Sequence, residues 1–173
     1  MLALALGAYG AAFRDADPVG ALNALGRGLV IAQDSGNRTY ASLLANGLAL
    51  LEAEHGDTVS ALDHLTLAIR NFHNAGHTTP IRSPLAILAA RFDRLGRYEP
   101  AATIAGFAFS PLTVSRLSTA ITHLRNVLGD QTYESLAHKG ETMTTTAMAT
   151  YAYDQIDQAR TELEGGGANR AAL

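Results

Sequence analysis

Small apolar side chains recur along this chain at intervals of three and four residues, and the whole motif then returns 40 positions later. Ala21, Ala61 and Ala101 are spaced in this way, as are Leu25 and Leu65, and Gly28, Ala68 and Ala108. Positions i, i+4 and i+7 share one stripe of an α-helix, and small residues there let a neighbouring helix approach closely. A stripe that repeats at a constant interval predicts stacked two-helix layers, each covering the apolar side of the next.

The punctuation repeats with the same interval. Asp17 and Asp57 suit the N-cap of a second helix, the first followed by Pro18 at N1, and Gly36 and Gly76 stand where a C′ residue ends it. Segments 32–39 and 72–79 read as the same connector. The spacing therefore predicts three helix pairs: 2–13 with 18–34, 39–55 with 58–75, and 84–95 with 99–109. Ser83 and Pro84 are expected to open the fifth helix as cap and first residue, and Pro111 to cut the sixth short, ending the register.

The remaining chain is expected to close the stack. A helix over 112–128 carries Leu117, Ala120, Ile121, Leu124 and Leu128 and stops at Gly129. Asp130 is expected to cap a short helix that Gly140 ends. From Thr142 a long helix places Met148, Ala152, Ile156, Ala159 and Leu163 on one stripe, over the apolar end of the last repeat. The organisation read from this is three helix pairs over 1–111, capping helices of the same domain over 112–164, and a flexible tail over 165–173 that begins Gly-Gly-Gly.

Composition supports an all-α class. The chain is 47% hydrophobic and 17% charged, rich in Ala and Leu, which favours helix and argues against disorder. A net charge of -3 with one lysine, Lys139, supplies no broad basic field, so no direct contact with nucleic acid is expected. Without cysteine there is neither a disulfide framework nor a thiolate metal site, and a reducing, cytoplasmic setting fits. The opening Met1–Gly7 lacks a positive leader and is far too short to span a bilayer, so no membrane role is expected. It reads as a first buried helix whose apolar face predicts a covering neighbour in a larger parent protein.

The chain carries few groupings suited to catalysis. No Gly-x-x-x-x-Gly-Lys-Ser/Thr run exists, and Lys139 precedes its glycine. His73 and His77 are four apart, but Gly76 between them ends the helix that would have made them face one metal. Ser60, Ser110, Ser115 and Ser118 lack a nucleophile-elbow context. Glu52, Glu54 and Asp57 flank a helix turn, where solvated charge is the usual arrangement. The threonines 142, 144, 145, 146 and 150 ahead of Tyr151 and Tyr153 are unusual in a helix, and read either as back-bonded hydroxyls or as a contact surface. No catalytic residue, cofactor or metal ligand is expected.

Leu48 and Leu88, with Ala49 and Ala89 beside them and Gly56 and Gly96 at the inter-helix turn, resemble the tetratricopeptide pattern. Leu95-Gly96-Arg97-Tyr98-Glu99-Pro100-Ala101 looks like that family's turn with its aromatic and alanine, whereas Pro18 and Thr58 replace the aromatic in the other units. The period exceeds the family's usual interval of about 34 residues. In this it resembles the tetratricopeptide-like domains of large ATP-dependent bacterial regulators of the maltose-regulon activator type. Leu128–Gly140 and Glu141–Tyr153 resemble the closing segment of bacterial signalling proteins that join an ATPase module, sometimes an adenylate cyclase or LuxR-type module, to helical repeats.

The resemblance implies a right-handed superhelix of antiparallel helix pairs with a C-terminal helical cap. It also implies ATPase, cyclase or DNA-binding modules in the parent, outside this chain. The function expected is non-catalytic recognition or sensing in signal transduction or transcription regulation, with a peptide, protein or small effector in the superhelical groove. If tetratricopeptide geometry carries over, Leu43, Asn46, Leu50 and Ala53, with Ser83, Ala86, Ala90 and Asp93, face that groove. A structural reading competes, in which the domain is a spacer or oligomerisation arm packing on neighbouring modules or on a second copy, and light scattering separates the two. A small all-helical enzyme is the third reading, and deep burial of paired carboxylates or of a His pair beside a closed pocket would support it.

Overall fold

Asp17 and Asp57 start their helices as N-caps, accepting from the backbone N–H of Gly20 at 2.9 Å and of Ser60 at 3.0 Å. Gly36, Gly76 and Gly96 end theirs, each with φ near +70° (68°, 71° and 75°), a region open to glycine at no steric cost. The three ends share one bond. The N–H after the glycine donates 2.9 Å back to Ala32, Phe72 and Phe92 respectively, tying off an orphan carbonyl.

The computed structural model describes residues 1–55 and 57–170, with backbone alone for 166–170. Gly56, placed at a turn by the sequence, and residues 171–173 lie outside them. Among the described residues there are nine helices and no strand: α1 (Leu2–Phe13), α2 (Pro18–Asp34), α3 (Arg38–His55), α4 (Thr58–Asn74), α5 (Arg82–Arg94), α6 (Tyr98–Ala108), α7 (Val114–Leu128), α8 (Asp130–Glu141) and α9 (Thr145–Arg170). The expected flexible tail falls partly on the end of α9 and partly outside the described residues.

Helices α1 and α2, α3 and α4, and α5 and α6 form hairpins, and each first helix also touches the next, α1 to α3 to α5 to α7. Asn46, midway along α3, meets Ser83 near the start of α5, and Ala53, near the end of α3, meets Arg91 near the end of α5, so these two run parallel. Ala21, Ala61 and Ala101 are all completely buried, as are Leu65, Ala68 and Ala108. The repeated stripe is thus the seam on which the helices pack.

Four expectations are corrected. α5 begins at Arg82 after a turn at Pro80, so Ser83 is inside the helix and accepts from Asn46 instead of capping. α8 begins from Gly129 and runs through Gly140 to Glu141. There Gly140 allows a close crossing: a Cβ on it would collide with the Thr103 carbonyl of α6, and one on Gly106 with the Ala137 carbonyl. α1 is not a buried helix. Only Gly10 is buried, beneath Leu25, while Leu2, Leu4, Tyr9 and Phe13 remain exposed.

α9 lies along the side of the stack, not over its end. His73 meets Thr146, and Asp63 pairs with Arg160, so α9 runs antiparallel to α4, with α6 on its other flank. Its expected stripe is the contact: Met148, Ala152 and Ile156 are fully buried and Ala159 nearly so. Arg97 at the start of α6 holds it further, pairing with Glu162 at 2.6 Å and bonding Gln155 and Gln158.

The cap on α4 yields a pH-dependent prediction. Hydrogen bonds from the Ser60 N–H and hydroxyl hold the Asp57 carboxyl below its ordinary pKa. A depressed folded pKa contributes stability above the unfolded value that is lost as pH falls through the folded one. Asp57→Ala should cost about 1 kcal/mol at neutral pH. In thermal melts the gap between parent and variant should narrow as pH drops below about 4; a gap constant down to strong acid would refute the cap's role.

Candidate functional site

The face built by the first helices carries two adjoining cavities. One, of about 350 Å³, lies between α1 and α3, with Leu4, Ala8, Leu43, Gly47 and Leu50 in its wall. The second, of about 380 Å³, lies between α3, α5 and α7, with Ile87, Ala90, Arg91 and Arg94 in its wall. Leu50, Arg14 and Arg116 belong to both, so they form one trough.

The structure brings five of the eight expected contact residues into this trough. Leu43, Asn46 and Leu50 line the first cavity, and Leu50, Ala53 and Ala90 the second. Leu43 is 52% exposed, the most open of them. Ser83 lines neither cavity, and its hydroxyl accepts from Asn46 at 3.2 Å and Arg116 at 3.4 Å. Ala86 is wholly enclosed in the core, one turn from the open edge of α5. Asp93 is also buried, its carboxylate 2.7 Å from His123 Nδ1 on α7. It therefore joins two helices and does not face the trough.

Of the polar groups in the trough, the sequence points to Asn46 but not to the arginines. Asn46 spends its amide N–H on Ser83, while its Oδ1 is buried without a protein partner. Arg91 and Arg94 converge on the Ala53 carbonyl, at 3.1 and 3.4 Å, where α3 nears its C-terminus and a cation is favoured. Burial, and then repulsion from Arg94, lowers the Arg91 pKa. An arginine this basic nonetheless stays charged at neutral pH.

No family model, curated protein or solved structure matches the chain.

The other candidate groups sit elsewhere. Among the described residues no group of three or more His, Asp or Glu is placed to hold a metal. His73 bonds Thr146, and His77 lies against the Phe72 ring. Ser60 bonds Asp57, Ser110 bonds Thr113, and Ser118 bonds the Ser115 carbonyl. Thr142 bonds back to its own helix and Thr144 caps α9 by accepting from Ala147, which accounts for part of the threonine run. Glu52 pairs with His64 at 2.7 Å across α3 and α4. Like Asp93–His123 it orients an imidazole, and no hydroxyl is bonded to either ring among the described residues. No described helix is long and apolar enough to cross a membrane.

Proposed function

We propose that this chain is a non-catalytic recognition domain whose ligand lies in the trough along α1, α3, α5 and α7. The observation that carries the reading is the continuity of the two cavities through Leu50, Arg14 and Arg116 on a single face. Concave surfaces of this size, mostly apolar with a few placed polar groups, are where small ligands and anchoring side chains bind. The resemblance to tetratricopeptide-like regulators suggests the setting: occupancy alters an ATPase, cyclase or DNA-binding module of a signalling protein. That requires two states with different affinity for the ligand.

The test is a neutral, environment-sensitive dye such as Nile red. It should bind saturably at one site, and Ala8→Trp and Ala90→Trp should each abolish binding by filling the trough from opposite ends. Ala8 is exposed and Ala90 half-buried, so melting temperatures should stay close to the parent's. Dye bound undiminished by both variants would defeat the reading.

A second reading, an oligomerisation or spacer arm, draws on α1, which has no charged residue and leaves Leu2, Leu4, Tyr9 and Phe13 exposed. Mass rising with concentration in light scattering would favour it.

A further inference from the structure

The two halves of the trough differ in chemistry. The wall shared by α3, α5 and α7 gathers Arg14, Arg91, Arg94 and Arg116 against the single carboxylate of Glu54. This happens in a chain whose net charge is -3 and whose Lys and Arg number 13. The wall between α1 and α3 is alanine, glycine and leucine over most of its length.

Resting on the trough as the binding site, we infer that its occupant is a small amphiphilic anion. The apolar tail lies along α1 and α3, and a carboxylate or phosphate head sits among the four arginines. Of these, only Arg14 has an acidic partner within ion-pair distance among the described residues, and that partner, Asp15, is exposed. Arg91 spends both terminal nitrogens on Ala53 and Thr58. Arg94 and Arg116 each give one long bond, at 3.4 Å, and keep other donors free. Like charges held together in a partly dry wall repel one another, and an anion between them removes that cost.

The apolar half selects the tail. An extended peptide there would bring backbone donors and acceptors that a wall of alanine, glycine and leucine cannot match, whereas an alkyl chain brings none. Each cavity lies in the size range of small-molecule sites.

Calorimetric titration of the chain with decanoate, decyl phosphate, decanol and decyltrimethylammonium, all below their micellar concentrations, tests this. One site is expected, with at least one anionic head binding about tenfold more tightly than decanol, a difference of about 1.4 kcal/mol, and the cationic head weakest. Comparing decanoate with decyl phosphate tells which head is preferred. The double variant Arg94→Gln/Arg116→Gln changes two exposed side chains, so its fold is safe; it should bring the anions to the decanol level and leave decanol unchanged. Inorganic phosphate alone should bind more weakly than decyl phosphate.

Equal affinity for all heads, an anion preference untouched by the double variant, or inorganic phosphate binding as tightly as decyl phosphate would overturn the inference. Decanol binding that is blocked by Ala8→Trp but shows no head preference would sink it and leave the recognition reading standing. Failure of every alkyl probe and of the neutral dye would sink both.

Discussion

Alanine at Gly140 is expected to destabilise the protein by about 2–3 kcal/mol, lowering the melting temperature by roughly 5–10 °C for a domain of this size. In a helix interior the same change would ordinarily stabilise by up to about 1 kcal/mol, so the sign of the effect is diagnostic. Gly140 is inside α8, and a Cβ there would overlap the Thr103 carbonyl of α6 and stand 3.2 Å from the Phe107 nitrogen. These are backbone atoms of a packed helix, which cannot swing aside as a side chain would. Gly106 makes the reciprocal contact with Ala137 and should behave alike. Gly26 in α2 is the control, since a Cβ there meets nothing within 4 Å; Gly26→Ala should be neutral or stabilising. Urea denaturation of the three variants decides the matter, and a Gly140→Ala protein as stable as its parent would refute the close α6–α8 crossing.

Phe92→Ala should cost more, about 3–5 kcal/mol. Phe92 is completely buried in α5, within the larger of two apolar clusters, the one that gathers α4, α5, α6 and α9. The Arg97 guanidinium lies over its ring, 5.4 Å from the centroid, and that arginine in turn holds α9 through Glu162, Gln155 and Gln158. Truncation leaves a cavity that helices pinned on several sides cannot close, and it takes away the surface that orients Arg97. Phe109, 53% exposed, gives the contrast: its truncation should change stability by no more than about 0.5 kcal/mol. Chemical denaturation of both checks the difference. A Phe92→Ala protein within about 1 kcal/mol of the parent would contradict the burial assigned to that ring.

Much of the helix plan was legible because its signals act over one or two turns. The Asp17 and Asp57 caps and the Gly36 and Gly76 ends each govern a few neighbouring peptide groups, and those helices begin and end within a residue of expectation. The trough was partly legible for a related reason. Once α3 and α5 are helices with a known buried side, Leu43, Asn46 and Leu50 must lie toward the other side. Ala86 and Asp93 were misplaced because α7 packs along α5 and covers that edge, a contact no local pattern announces.

The glycines show the limit most clearly. At Gly36 and Gly140 the sequence offers the same residue where an expected helix stops, and a helix end and a close crossing look alike. Only the partner helix separates them: Gly36 has φ of 68° and open space around it, and Gly140 faces the backbone of α6.

Residue order by itself determined that the chain is helical, where most helices start and stop, and which stripe of each is apolar, since backbone capping and side-chain periodicity are settled among near neighbours. Tertiary structure decided the course of α9 beside α4, sealed by the pairing of Arg160 with Asp63, and the meeting of Arg14, Arg91, Arg94 and Arg116 at one wall. Those outcomes depend on which apolar faces cover one another across long stretches of chain, and charge brought together in that way leaves no trace in local spacing.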